Sequence, residues 1–324
     1  MSLFVTRRIP AAGLEVLRAA AVPFEIGQDD DDLPLAHDAL CDGARRHPVL
    51  LCHLTDRIDR AILTGPPRLR GVSQMAVGYD NIDVAAAREL GVPLAHTPGV
   101  LTEATADLTF ALLLAVARRI PEAHRYTIEG RFRAFGPNLL LGAAVGPSPD
   151  GTRKTLGIVG FGRIGRAVAR RAQGFDMRVL AFGRERALIA AAGAEPVTLP
   201  ELLAQSDFVS LHVPLTGGTR HLIDAAAMCA MKPGAYLINT SRGPVVDEEA
   251  LVVALRERRI AGAGLDVYEH EPRIHSGLFA LDNVVLLPHI GSATLETRSR
   301  MAVMAAHSAI AFLRGQPSEN PIPW

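Results

Sequence analysis

Three kinds of chemically capable side chain stand just past short apolar runs in the second half of the chain. Arg242 follows Ala235-Tyr-Leu-Ile-Asn239 across Thr240 and Ser241. Asp266 closes Ala263-Gly-Leu-Asp266 and leads into Val-Tyr-Glu-His-Glu-Pro272, and His289 follows Val284-Val-Leu-Leu287 and Pro288. An arginine past a strand's carboxyl end lies at the crevice where open α/β sheets bind ligands, and its planar fork suits a carboxylate better than a lysine does. An imidazole titrates near neutral pH and can give or take a proton. Singly, each has a plainer reading. Arg242 could be a salt-bridged surface residue, and most of the eleven histidines suit core or surface roles. Glu269, His270, Glu271 and His275 are of metal-ligating types, but contiguous loop spacing lacks the i, i+4 helical geometry of a zinc motif, and no metal is expected.

A second constellation supplies a possible hydride donor. Leu156-Gly-Ile-Val-Gly-Phe-Gly-Arg-Ile-Gly165 reads as a buried strand, a G-x-G-x-x-G turn and, from Arg166 on, an amphipathic helix. Gly160 permits the tight turn, Gly162 lets backbone approach a pyrophosphate, and Gly165 lets the helix pack on the strand. Phe161, Arg163 and Ile164 complete the loop, and the free N–H groups of the helix start favour phosphate. Strand context on one side and helix context on the other make the motif a dinucleotide site. The next strand ends Val179-Leu-Ala-Phe-Gly-Arg-Glu-Arg186. Sites for NAD place an acid there for the ribose 2′-hydroxyl; here Gly183 takes that position and Arg184 follows, with Arg186 close by. An arginine can hold a 2′-phosphate bidentately, so NADPH is favoured. The alternative makes both arginines a solvated helix start and gives the ribose of NAD to Glu185.

These groups need rigid elements behind them. Over residues 1–100, apolar runs at Leu3–Thr6, Pro23–Ile26, Val49–His53, Gly71–Val77 and Val92–His96 alternate with helical patterns at Pro10–Ala21, Pro34–Asp42, Asp56–Leu63 and Val84–Leu90. That alternation predicts a parallel sheet covered on both faces. A helix from Glu103 to about Arg119 is apolar on nearly every side and should be buried, placed between domains. From Leu156 a second alternation predicts strands at 156–160, 177–182, 194–197, 207–211, 235–239, 262–266 and 284–287. A last helix, Ala293 to about Leu313, is long enough to return to the first domain. The fold class is α/β, with two doubly wound parallel-sheet domains and a cleft between them. Residues 1–100 with 293–324 form one domain, and 101–292 form the dinucleotide-binding one. Between them, Arg131–Lys154 is rich in Gly and Pro and carries Leu139-Leu140-Leu141, which a second subunit could cover.

Composition sets wider bounds. The chain has 324 residues, 48% hydrophobic and 21% charged, with zero formal net charge, so neither nucleic acid nor an anionic membrane is indicated as partner. Cys41, Cys52 and Cys229 are scattered and fit a reducing compartment. The first residues lack a signal-peptide core, and the expectation is a cytoplasmic protein. Asp29 to Asp32 reads as a solvated loop.

Together these segments resemble the NAD(P)-dependent D-isomer-specific 2-hydroxyacid dehydrogenases, most closely the glyoxylate/hydroxypyruvate reductases. The resemblance covers nearly the whole chain, through Val77-Gly-Tyr-Asp-Asn-Ile-Asp83, His96-Thr-Pro-Gly-Val-Leu-Thr-Glu-Ala-Thr-Ala106, Gly160 to Gly165, Leu211-His-Val-Pro-Leu-Thr216, Asn239-Thr-Ser-Arg-Gly243, Gly264-Leu-Asp-Val-Tyr-Glu-His-Glu-Pro272 and Pro288-His-Ile-Gly-Ser-Ala-Thr294. It implies a Rossmann domain with a flavodoxin-like substrate domain. It also implies Arg242, Glu271 and His289 as the catalytic set, with Asp266 as an auxiliary acid. The backbone around Val77 and Gly78 would hold a substrate carboxylate, with Leu54 and Ser292 nearby. Thr240, Ser241 and Arg242, then His212, Val213 and Pro214, then His289 to Gly291 would flank the cofactor.

The reaction so implied is reduction of a short 2-oxoacid to the D-2-hydroxy acid, with His289 giving the proton, Glu271 orienting it, and Arg242 gripping the carboxylate. Ser292 could add a hydrogen bond or serve only the loop. Related reductases often carry a tryptophan in the loop Gly136-Pro-Asn-Leu-Leu-Leu-Gly142, which resembles a dimer arm. The single tryptophan here is Trp324, so substrate preference is open at that point. A homodimer is implied. The enzymatic rival is a 2-ketogluconate reductase or another D-2-hydroxyacid dehydrogenase. A formate-dehydrogenase-like activity fits worse, because Glu271 would be a neutral amide there. The rival of another class is a dinucleotide-sensing, corepressor-like binding protein, for which no appended tail or regulatory domain speaks.

Overall fold

Runs of leucine, valine and isoleucine four or five residues long cannot bury themselves on one side of a sheet alone, and here they are covered on both. The computed structural model describes residues 2–29, 33–65 and 68–323. Asp30 to Asp32, expected as a solvated loop, lie outside the described residues; Asp29 beside them is exposed and pairs with Arg8 at 2.9 Å. The chain divides into two units, Met1–Leu101 with Ser292–Trp324, and Thr102–Gly291.

In the first unit, β1 (Leu3–Val5), β2 (Phe24–Ile26), β3 (Val49–Cys52), β4 (Gly71–Gln74) and β5 (Leu94–Ala95) form a wholly parallel sheet in the order 2-1-3-4-5. That is the flavodoxin-like order. Alternation along the strands splits the core. Leu3, Val5 and Leu51 face helices Ala11–Ala19 and Leu295–Leu313, while Phe4, Leu50 and Cys52 face the other way, toward Leu40, Ile62 and Leu63. The last helix thus belongs to this unit, where the Ala305 carbonyl accepts the Ser73 hydroxyl at 2.8 Å. Strand β4 ends three residues before the expected Val77. Residues 75–78 leave the sheet, tied back by Met75 N–H to the Cys52 carbonyl at 2.9 Å.

The second unit holds β6 (Thr155–Val159), β7 (Arg178–Phe182), β8 (Glu195–Pro196), β9 (Phe208–Leu211), β10 (Tyr236–Asn239), β11 (Gly262–Leu265) and β12 (Val284–Leu286), all parallel, in the order 12-11-10-9-6-7-8. Strand order reverses between β6 and β9, the switch point at which such sheets bind ligands. The α/β fold class with two parallel sheets stands as expected. Register does the rest. Phe182, Val159, Leu211, Asn239, Leu265 and Leu286 lie in one row across six strands, so the segments after them leave the sheet along one edge.

Helix Thr102–Ala117 buries Ala106, Phe110, Leu112, Leu113 and Val116 within this unit. It stops just before Arg119, near the expected end, where Arg119 takes a left-handed conformation (φ 54°); a further helix, Ile120–Ile128, follows that the sequence did not predict. No residue of that helix is buried. Among the described residues no helix is long and apolar enough to cross a membrane.

Candidate active site

The glycine turn is built as its spacing requires. Strand β6 ends at Gly160, whose φ of +98° is open to glycine, and a Cβ there would lie 2.7 Å from the His212 carbonyl. At Gly165 a Cβ would meet the Gly160 oxygen at 2.2 Å, so helix Arg163–Gln173 sits directly on the turn. Gly162 is the N-cap of that helix, and no side chain caps it. A Cβ on Gly162 would meet nothing within 4 Å. Uncapped N–H groups facing open space fit a dinucleotide pyrophosphate. Phe161 is buried, Arg163 is exposed and Ile164 is half-buried.

At the end of β7, Gly183 leaves no carboxylate toward a ribose. Arg184 is exposed and, among the described residues, makes no hydrogen bond or ion pair. Arg186 instead donates to the Pro196 carbonyl at 2.8 Å, an anchor within its own unit. After β9, the His212 N–H donates to Val159 at 2.7 Å, laying His212, Val213 and Pro214 across the turn. The His212 ring is bonded to Ser210 at 2.8 Å, and burial pushes its pKa down to about 3, so it stays neutral.

The loops after β10, β11 and β12 meet through buried polar groups. Asn239, at the end of β10, accepts from Ser241 N–H and Oγ and donates to the Arg242 carbonyl at 3.0 Å, folding Thr240–Arg242 into a tight turn. Thr240 Oγ1 lies 2.9 Å from Thr109 Oγ1, and Arg242 Nη1 donates to the Ser241 carbonyl at 2.9 Å. At Gly243 a Cβ would fall 1.8 Å from the Tyr268 carbonyl; this turn is pressed against the loop after β11. Asp266, 1% exposed, accepts from Ile290 N–H at 2.7 Å and Gly291 N–H at 2.8 Å. Burial pushes its carboxyl up, while those N–H groups and the charge of His289 pull the other way. The Gly291 carbonyl accepts the Thr105 hydroxyl at 3.1 Å.

His289 itself has φ 53°, left-handed for a residue with a Cβ, and the bonds from Ile290 and Gly291 hold it there. Its Nδ1 lies 2.8 Å from Glu271 Oε2. A carboxylate accepts only, so Nδ1 carries the proton. Glu271 Oε1 accepts Tyr268 N–H at 3.0 Å, and the Tyr268 hydroxyl donates to the Leu287 carbonyl at 2.8 Å. His289 Nε2 has no partner among the described residues. Burial alone would push the Glu271 carboxyl up. The hydrogen bond and charge of His289, the Tyr268 N–H and Arg242 outweigh it and hold the carboxyl below its ordinary value. Glu269 points elsewhere, to Arg220 at 2.9 Å and His221 at 2.6 Å. Among the described residues no three His, Cys, Asp or Glu side chains gather so as to hold a metal ion.

Leu54, Val77, Gly78 and Ser292 belong to the first unit. The Val77 carbonyl accepts from His96 Nδ1 at 2.9 Å and the Gly78 carbonyl from Gln74 Nε2 at 2.8 Å. Their own N–H groups have no acceptor among the described residues.

Residues 110–291 match the profile of the D-isomer specific 2-hydroxyacid dehydrogenase NAD binding domain. The chain is 47% identical to a glyoxylate reductase of Thermococcus litoralis, over 98% of this chain and 95% of that one. The chain belongs to the D-isomer-specific 2-hydroxyacid dehydrogenase family. A Thermus thermophilus protein of known crystal structure superposes with a TM-score of 0.92 at 44% identity, each chain fully covered. An NADPH-dependent glyoxylate/hydroxypyruvate reductase of Sinorhizobium meliloti, crystallised with NADP and malonate, superposes with a TM-score of 0.82 at 31% identity, over 99% of this chain and 96% of that one. The chain is thus an NAD(P)-dependent D-2-hydroxyacid dehydrogenase.

Within this dehydrogenase, the reading of the sequence overlooked Asn239, Thr105 and Thr109. The signal for the threonines was present: two hydroxyls spaced i, i+4 on an otherwise apolar buried helix form one polar stripe. The pairing of Glu271 has a measurable consequence. A carboxyl more acidic folded than unfolded adds stability above its ordinary value, and that stability is lost as pH falls through the folded value. The difference in Tm between parent and Glu271→Gln should therefore narrow between about pH 5 and pH 3 in thermal unfolding. A difference constant over that range would contradict the pairing.

Proposed function

We propose that the chain reduces a short 2-oxoacid, glyoxylate or hydroxypyruvate, to the D-2-hydroxy acid with NADPH, His289 donating the proton. The observation that carries this reading is the His289–Glu271 contact of 2.8 Å, which directs Nδ1 at a carboxylate and leaves Nε2 without a partner among the described residues. The cofactor, when bound, supplies a hydride to C2 of the oxoacid. Gly160 to Gly165 would hold its pyrophosphate, with His212 to Pro214 and Thr240 to Arg242 flanking it and Arg184 on the 2′-phosphate.

As C2 is reduced, negative charge grows on the carbonyl oxygen. The His289 imidazolium places its Nε2 proton there, and the Glu271 carboxylate stabilises the charged ring until the proton leaves. Arg242 grips the substrate carboxylate and polarises the carbonyl. Asp266 acts through the backbone of the histidine loop. The N–H groups of Val77 and Gly78, without an acceptor among the described residues, suit a carboxylate, and this reading gives them, with Leu54 and Ser292, a share in substrate binding. The 47% identity to a glyoxylate reductase supports the substrate class.

A homodimer is part of the reading. Ile128, Phe132 and Leu141 are exposed, and Phe135 is 87% exposed, all in or after a helix with no buried residue. Such a cluster favours a covering partner, and a second copy would supply one. A cytoplasmic location accords with three free cysteines, Cys41, Cys52 and Cys229.

Oxidation of NADPH with glyoxylate and hydroxypyruvate, followed by absorbance, tests the activity. His289→Ala should lower kcat by about 10²–10⁴-fold with little change in NADPH affinity. NADPH binding by the parent without turnover of any 2-oxoacid would favour the sensing protein instead. Arg184→Ala should weaken NADPH on the order of 10-fold or more and leave NADH nearly unchanged; equal losses would remove the cofactor assignment. In light scattering after size exclusion, the parent should elute as a dimer, and the double variant Phe135→Asp, Leu141→Asp as a monomer. A monomeric parent would refute the dimer.

A further inference from the structure

Glu248 is a buried carboxylate that the chemistry above does not use. It is the first residue of helix Glu248–Arg256 and only 8% exposed. The helix does not need it as a cap, because Asp247 already accepts the Ala250 N–H at 3.0 Å. Its oxygens go instead to a different segment. Oε2 accepts the Glu269 N–H at 2.8 Å and Oε1 accepts the His275 N–H at 2.7 Å. Those donors bracket Glu271, two residues before it and four after. One carboxylate therefore holds both ends of the loop whose centre presents Glu271 to His289.

We propose that Glu248 is a positioning residue for the catalytic pair: by clamping the loop at residues 269 and 275 it keeps the Glu271 carboxylate on His289 Nδ1. The proposal rests on the proton-donor reading of His289. Glu271 has one further anchor, the Tyr268 N–H, and that residue precedes the clamp. Without the clamp, the backbone at residues 269 and 275 loses its acceptor, and the loop is held there only by the side-chain pairs of Glu269 and His275. A carboxylate that drifts from 2.8 Å no longer favours the imidazolium to the same degree.

Other charged groups surround the clamp, and the variants below do not alter them. Glu269 faces Glu248 with its own charge met by Arg220 and His221, and Glu249 pairs with His275 Nε2 at 2.8 Å. Around His289, Asp266 is the second carboxylate, and Arg242 acts on Glu271.

The test is the pH dependence of kcat/KM for glyoxylate at saturating NADPH, in the parent, Glu271→Gln and Glu248→Gln. Activity falls on the alkaline side as the donor imidazolium is lost. In Glu271→Gln that limb should move toward acid by about one pH unit or more, the effect of losing an adjacent opposite charge. In Glu248→Gln it should move the same way by at least about half a unit, while NADPH affinity by fluorescence titration stays at the parent's value. A role in folding alone would lower kcat/KM evenly at every pH and leave the limb in place; that result overturns the proposal. An unmoved limb in Glu271→Gln overturns the proton-donor reading and this proposal with it. If Glu248→Gln does not fold, Glu248→Asp is read instead: one methylene shorter, it cannot reach both N–H groups. A limb at the parent's position in Glu248→Asp is then the overturning result.

Discussion

Two backbone N–H groups donated to one buried carboxylate, Asp266, fix the geometry on which the rest of the site depends. A carboxylate 1% exposed is costly unless its oxygens are met, and here Ile290 and Gly291 meet both. The same bonds hold His289 in a left-handed backbone that a residue with a Cβ adopts at a cost. Two unfavourable local states, a buried charge and a strained backbone, are stable because each satisfies the other. The ring direction of His289 follows from that backbone, and the reach of Glu271 follows from the ring. Asn239 does related work for the turn that ends in Arg242, with a neutral amide.

The sheet supplies what the loops cannot. Six strand ends in one row give the loops a common origin, and apolar side chains on both faces keep those strands immobile. Helix Thr102–Ala117 closes one face of that sheet with Leu112, Leu113 and Val116 while lending Thr105 and Thr109 to the loops after β12 and β10. One helix thus carries both the packing and part of the polar scaffold.

Much of this was legible in the residues. Apolar runs bounded by glycine marked the strands because a strand buried on both faces has no polar alternation to obscure it. The glycine turn was legible because its spacing answers to backbone geometry alone. Arg242 and His289 could be located past strand ends, yet their convergence could not, since strand order is not written in any one segment. The resemblance of whole motifs supplied what spacing lacked, and it singled out Glu271 from the acids around it. Asn239 and Glu248 escaped notice for a different reason. Their side chains serve mainly backbone N–H and carbonyl groups, and such groups leave no mark on residue identity. The end of the long helix near Arg119 was legible, but helix Ile120–Ile128 was missed, because it buries no residue and so carries no core-facing apolar run.

The absent side chain at position 243 has a lasting effect. With the Tyr268 carbonyl where a methyl group would be, the turn behind the Arg242 guanidinium and the segment leading to Glu271 share a seam with no slack. The spacing of those two functional groups is therefore a fixed length rather than a tunable one. Divergence in what such an enzyme accepts must be written into residues away from that seam, leaving the chemistry constant while the appetite changes.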